Sequence, residues 1–347
     1  MKFIVLFSIL LLTGCAASTP LPAPTPVPTP TPRPVVFKSP GFVFLGKGPG
    51  IPILAHDPSP AIDNLYINPG AVVFHDGEFH ILFNSFTNWP GVVEIGYATS
   101  EDGVEWQMIQ DEPVFTTDQV PFGEGKADVS SVLVMDDGTW VIYFHTIEAG
   151  EIGRATADSP LGPWTVDPEP ILTPGSEGTW DELGLAWPSL VRDGDWFRMY
   201  YGVKLPAGHA IGLATSPDGI NWTKYNDPET TDAQYAASDP VLVPEGEWEY
   251  HSVDRPRVVN SPDGWVMIYQ AGIRVEERGL AASNNGITWE RYSKNPIFTK
   301  EAFPIPNAKS WDTNLLYHDG AYYYFMEIGS LSGTDLYVAK HEGELRK

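Results

Sequence analysis

One short tag, a proline followed by two apolar residues, recurs five times along the 347-residue chain. It reads Pro52-Ile53-Leu54, Pro113-Val114-Phe115, Pro170-Ile171-Leu172, Pro240-Val241-Leu242 and Pro296-Ile297-Phe298, at spacings of 61, 57, 70 and 56 residues. Repeats of this length imply one supersecondary unit used again and again. A longer phrase precedes the later tags. It reads Ile95-Gly96-Tyr97-Ala98-Thr99-Ser100-Glu101-Asp102-Gly103 with Trp106, and returns around Gly153 with Trp164, around Gly212 with Trp222 and around Gly279 with Trp289. A worn copy runs from Leu336 to Lys340. Upstream of each phrase, two apolar runs flank Asp76-Gly77, Asp137-Gly138, Asp193-Gly194, Asp263-Gly264 or Asp319-Gly320. Asp-Gly and Asn-Gly between apolar runs mark hairpins, because these residues tolerate positive φ. Each unit therefore reads as four short antiparallel strands, and no stretch carries a 3.6-residue apolar period of helical length.

Four-stranded units arranged radially make a β-propeller. The expected fold is all-β, a five-bladed propeller of four-stranded antiparallel blades. The last copy has three strands and no tag, whereas the first tag precedes any blade. Phe42–Leu54 is therefore expected to supply the outer strand of blade five, closing the ring and leaving no open edge. The Gly and Trp of the phrases are read as turn and packing residues.

A formal net charge of −24 argues against nucleic acid, which requires a basic face. Residues 1–14 read as a signal peptide, with Lys2 before the apolar run Phe3–Leu12, which is too short to span a bilayer. Leu12-Thr13-Gly14-Cys15 resembles a bacterial lipoprotein signal, which implies lipidation of Cys15. Cys15 is the only cysteine, so the chain holds no internal disulfide. Residues 15–35 continue as a Pro-rich linker. Pro20–Pro34 should run as polyproline II, roughly 45 Å at ~3.1 Å per residue. The expectation is a monomeric propeller over residues 36–347, held at the bacterial cell surface or in the periplasm by lipid alone.

Innermost propeller strands converge on the central channel, so the residues just before and at their starts are the candidates for chemistry. The chain is least repetitive there. It carries Asp63 and Asn68, then Asp128, then Glu182 and Trp187, then His251, Asp254, Arg255 and Arg257, then Trp311 and Asp312. Carboxylates beside aromatic platforms suit sugar chemistry. One carboxyl protonates a leaving oxygen, another activates water, and ring faces stack on the pyranose. Arginine adds a bidentate fork for hydroxyls, carboxylates or phosphate.

With these motifs and the phrase Ala214-Thr215-Ser216-Pro217-Asp218-Gly219-Ile220-Asn221-Trp222, residues 36–347 resemble the five-bladed propeller glycosidases. That superfamily includes arabinanases and xylosidases, invertases and levansucrases, and mannoside phosphorylases. The resemblance implies an acidic residue on each of the first three blades. Asp128 matches on blade two and Glu182 on blade three. Blade one has Asn68-Pro69 in place of Asp-Pro, which is closer to the phosphorylase type, with Asp63 the nearest carboxylate. The expected catalytic residues are thus Asp128, Glu182 and Asp254. Asn68, Asp63, Trp187, His251, Arg255, Arg257, Trp311 and Asp312 are expected to bind substrate. No His/Cys/Asp spacing specifies a metal, and no cofactor is expected, although oxygen ligands that suit Ca²⁺ are plentiful. The leading expectation is a glycoside hydrolase or related glycan-processing enzyme acting on extracellular oligo- or polysaccharide. A non-catalytic carbohydrate-binding propeller is the alternative. A glycoside phosphorylase, or a sialidase with its six blades, ranks lower.

Overall fold

The computed structural model describes residues 34–48, 50–56, 62, 65–272 and 277–346. The signal segment, Cys15, the Pro-rich linker through residue 33, and Asp63 lie outside the described residues. Apart from short 3-10 turns, the regular elements are strands. The first unit comprises β2 (Tyr66–His75), β3 (Glu78–Phe86), β4 (Glu94–Ser100) and β5 (Gln107–Met108), with β6 (Phe115–Thr116) also on β4; β1 (Val43–Leu45) precedes it. The second comprises β7 (Ala127–Val134), β8 (Trp140–Thr146), β9 (Ile152–Ala157) and β10 (Thr165–Val166). The third comprises β11 (Leu185–Asp193), β12 (Trp196–Leu205), β13 (Gly208–Ser216) and β14 (Thr223–Lys224), with β15 (Pro240–Leu242) on β13. The fourth comprises β16 (Val253–Ser261), β17 (Gly264–Ala271), β18 (Glu277–Ser283) and β19 (Trp289–Arg291). The fifth comprises β20 (Lys309–His318), β21 (Ala321–Ser330) and β22 (Gly333–Glu342), and a parallel bridge between Tyr66 of β2 and Thr334 of β22 joins it with the first unit in one nine-stranded sheet. Within each unit, neighbouring strands pair antiparallel.

The fourth place on the fifth unit is filled from the other end of the chain. β1 pairs antiparallel with β22, Val43 opposite Lys340 and Leu45 opposite Val338. The tags explain themselves in the same way. In three tags the N–H of the middle residue donates to the third strand of a unit, Val114 to Ile95, Ile171 to Ile152 and Ile297 to Arg278, each at 2.8 Å, and the fourth pairs with its third strand as β15 on β13. The first tag makes the identical bond, Ile53 N–H to the Leu336 carbonyl at 2.8 Å, on the fifth unit. The first strands touch in the order β2, β7, β11, β16, β20, and β20 touches β2.

The repeated glycine has a steric cause. Gly96, Gly153, Gly212 and Gly279 lie opposite Phe83, Phe144, Tyr201 and Tyr269 of the adjoining strand. The aromatic ring lies across each glycine, and a Cβ there would fall 2.0–2.5 Å from it. The fifth unit inverts the pair, with Met326 opposite Tyr337, so its phrase lacks the glycine. Buried rings fill the spaces between units, each worth about 1.5–3 kcal/mol relative to exposure. Tyrosine hydroxyls stitch neighbours together: Tyr143 donates to the Gly219 carbonyl at 3.1 Å and Tyr200 to that of Gly286 at 2.7 Å.

Candidate active site

Every first strand carries a β-bulge at the same height. Pairing skips between Asn68 and Ala71, Val129 and Ser131, Ala186 and Ser189, Asp254 and Arg257, and Ser310 and Thr313. A bulge inserts an unpaired residue and re-aims side chains. Gly70, Trp187 and Arg255 hold positive φ there, at 48°, 51° and 46°. Gly70 has no alternative, because a Cβ would lie 2.1 Å from the Leu82 carbonyl oxygen. The bulges therefore aim the non-repetitive residues of five strands at one centre.

Four carboxyls meet at that centre. Asp128 is buried and accepts a hydrogen bond from Asn68 Nδ2 at 3.3 Å. Burial pushes its carboxyl well above the usual range, and neighbouring Asp312 pushes it further; the Asn68 hydrogen bond and then Arg257 and Arg255 oppose this. Asp254 lies 3.3 Å from Arg255 and 3.3 Å from His209 Nδ1. Asp312 accepts from Arg255 Nε at 3.1 Å, and Arg257 is 3.7 Å away. Glu327 sits behind the fifth bulge and accepts the Asp312 backbone N–H at 3.0 Å. Burial, then the charge of Asp312, raises its pKa from 4.5 to about 8.

Arg255 thus bridges two buried carboxylates, and its guanidinium lies 4.0 Å from the centre of the Trp187 ring. His145 and His209 flank the same ring, each at 5.6 Å. Burial lowers the pKa of His145 to about 4, leaving the ring neutral. Trp187, Arg255 and His209 are the least buried members of the group, so access to the acids runs past them. Ser130 Oγ, His145 Nδ1, Arg257 Nε and Gln270 Oε1 are buried with no hydrogen-bond partner in the protein. Such atoms are rare in folded proteins, and here they leave donors and acceptors for a ligand or water. On the other side of the bulges lies a cavity of about 230 Å³, lined by Ser130, Ser189, Arg257 and Asn314 among others. Among the described residues, no group of three or more His, Cys, Asp or Glu is placed to hold a metal ion.

The structure brings together Asn68, Asp128, Trp187, Asp254, Arg255, Arg257 and Asp312. Asn68 is held rigidly. Its Oδ1 accepts from Asn84 Nδ2 at 2.6 Å and from the Gly70 N–H at 3.0 Å. Glu182, expected as an acid of the third unit, is drawn elsewhere. Its carboxylate accepts the Gly178 N–H at 2.5 Å, closing a turn before β11. The third unit contributes Trp187 instead, with Ala186 where other units carry Asn68, Asp128 or Asp254. His251 is exposed at φ 66°, and it is His209 that reaches Asp254. Trp311 is half-buried, with Lys309 Nζ 5.9 Å from its ring centre.

Sequence reasoning missed Asn84, His145, Gln270 and Glu327. All four occupy one position on the second strand, immediately after the residue that faces the phrase glycine or its fifth-unit counterpart. In the third unit that position is Gly202, and a Cβ there would meet the Trp187 ring at 2.8 Å. The signal was a position that reads Asn, His, Gly, Gln and Glu inside otherwise repetitive apolar strands.

No family model matches the chain. An uncharacterized protein of Mycobacterium tuberculosis is 25% identical over 172 residues, 48% of this chain and 50% of that protein. The chain thus spans about half the length of the curated relatives it matches. Among solved structures, similarity extends to one from the GH130 family of mannoside phosphorylases, which contains glycoside hydrolases that target β-1,2 mannosidic linkages in Candida mannan. It is 16% identical with a TM-score of 0.65, covering 89% of this chain and 97% of that one. A glycosyl hydrolase from Bacteroides ovatus is 17% identical with a TM-score of 0.64, covering 88% and 94%. A thermostable family-43 glycoside hydrolase is 17% identical with a TM-score of 0.57, covering 79% and 88%. At such identities the likeness is one of fold, and the fold of this chain is one that glycoside hydrolases use.

Proposed function

We propose that the protein is a glycoside hydrolase or related glycan-processing enzyme, a five-bladed propeller closed by its N-terminal strand and tethered outside the cell through Cys15. The observation that carries this reading is the convergence of Asp128, Asp254 and Asp312 beneath Trp187, with burial pushing the Asp128 carboxyl well above its usual range. A protonated carboxyl is what a leaving glycosidic oxygen needs. Asp128 donates its proton to that oxygen as the bond to the anomeric carbon breaks. Water attacks that carbon, and Asp254 accepts the proton that the water releases. Trp187 stacks on the sugar, while Arg255, Arg257 and Asn68 bind its hydroxyls. Where phosphate replaces water as the attacking group, the product is a sugar phosphate, and Arg255 and Arg257 are the cations at hand.

The test is release of reducing sugar, or of sugar phosphate, from a broad oligosaccharide panel with and without phosphate. Asp128→Asn should lower turnover by about 10²–10⁴-fold with little change in melting temperature, since a neutral amide replaces a neutral acid. Turnover unchanged in that variant would overturn the assignment of the acid.

One observation favours a non-catalytic carbohydrate-binding propeller. The side chains of Asp254 and Asp312 are 3% and 10% exposed and are tied to Arg255. Sugar binding that survives both Asp128→Asn and Asp254→Asn, with no turnover in the unmodified protein, would establish that reading.

A further inference from the structure

The connection between β3 and β4, residues 87–93, exposes an indole at the rim of the site. Trp89 is 49% exposed. Single exposed apolar residues are normal, but two features set this one apart. First, its ring continues a stack that leads to the acid cluster. Trp89 lies 5.2 Å from Phe86, and Phe86 lies 5.6 Å from Tyr66 at 23° between planes. Tyr66 pairs with Phe86 just as Asn68 pairs with Asn84, two residues along the same strands. Residues i and i+2 share a face, so the aromatic pair stands about 7 Å above the Asn68–Asn84 pair, toward the strand ends at the rim. Second, the loop is pinned on both sides of Trp89. Phe86 and Val93 are buried, and Val93 exchanges two bonds with Thr117: its N–H donates to Thr117 Oγ1 at 2.9 Å, and its carbonyl accepts the Thr117 N–H at 3.0 Å. A fixed platform binds without the cost of ordering a loop.

We propose that Trp89 is an outer sugar platform, on which a ring of an oligosaccharide stacks when another ring of the same chain lies against Trp187. The inference rests on the carbohydrate reading of the site. It narrows the ligand to a glycan long enough to reach from the acid cluster to the rim of the first unit. An indole face offers a large, rigid apolar surface to the C–H face of a pyranose. The net charge of −24 disfavours an anionic lipid surface as the occupant.

The experiment compares the unmodified protein with Trp89→Ala and Trp89→Phe on an array of matched di- and hexasaccharides, reading both binding and cleavage. Trp89→Ala should weaken hexasaccharide binding about 5-fold, as loss of an aromatic stack of ~1 kcal/mol requires. Disaccharides should be unaffected within twofold, and Trp89→Phe should recover most of the loss. Equal losses on both lengths, or none on hexasaccharides, would overturn the platform while leaving the active-site reading intact. An unmodified protein that neither binds nor cleaves any glycan would overturn both.

Discussion

The third and fourth units build the same backbone device and load it with opposite chemistry. Both first strands bulge by one residue, at Ala186-Trp187-Pro188-Ser189 and at Asp254-Arg255-Pro256-Arg257. Both place the second residue at positive φ, 51° for Trp187 and 46° for Arg255, and both follow it with proline. One bulge presents an indole, the other a guanidinium between two carboxylates, and the two side chains stack at 4.0 Å. The bulge is therefore scaffold, and the identity of its residues is what the site adds. Left-handed backbone at a bulky residue costs of order 1–3 kcal/mol and persists where the surroundings fix it.

The largest effect should come from breaking the charged bulge. Arg255→Met leaves Asp254 and Asp312 without their shared cation, at a cost of about 3–5 kcal/mol in a denaturant melt. Trp187→Phe keeps a ring over the arginine and should cost about 1 kcal/mol. If the two variants destabilised equally, the contrast between the bulges would be one of packing alone.

A smaller effect follows from protonation behind the fifth bulge. The raised pKa of Glu327 means that the folded chain keeps a proton the unfolded chain releases above 4.5. Its contribution to stability is fully present below 4.5 and is lost as pH rises through about 8. His145 acts in the other direction. Its lowered pKa makes a contribution that is present above 6.5 and lost as pH falls toward about 4. The two oppose each other between 4.5 and 6.5. From 6.5 to 8 the Glu327 slope remains, and the raised Asp128 carboxyl acts in the same direction. Glu327→Gln keeps an acceptor for the Asp312 N–H and should make that slope shallower in urea melts across the interval. A slope unchanged in the variant would show that another group sets it.

The smallest effect should be that of Glu182→Gln, within about 0.5 kcal/mol in stability and twofold in turnover, as for a surface residue outside the cluster. A large loss of turnover would return the third unit's acid to the site and undo the contrast between an indole-bearing and a charge-bearing bulge.

Much of the strand pattern was legible because its causes are local. Asp76-Gly77 and Asp319-Gly320 both adopt the paired positive φ that two-residue hairpins demand. The odd placement of Pro52-Ile53-Leu54, a tag with no unit before it, pointed to the pairing now seen between Ile53 and Leu336. Asp128, Asp254 and Asp312 were legible because a repeat has no structural need for an acid there. Asn84, His145, Gln270 and Glu327 were not, because a single polar residue in an apolar strand has no meaning until its strand meets four others. Glu182 shows the opposite case: an acid near a strand start looks chemical in sequence, and in the structure its carboxylate closes a turn with the Gly178 N–H.

Sequence alone determined the repeating unit, its hairpins and the glycines that accommodate rings, because each depends on residues a few positions apart or on the adjoining strand. Only the tertiary structure decided which side chains share the centre and which proton each holds. The raised pKa of Asp128 depends on burial by neighbouring units and on Asp312, distant in sequence. A pKa is set by everything packed around a group, and no local pattern of residues encodes that surrounding.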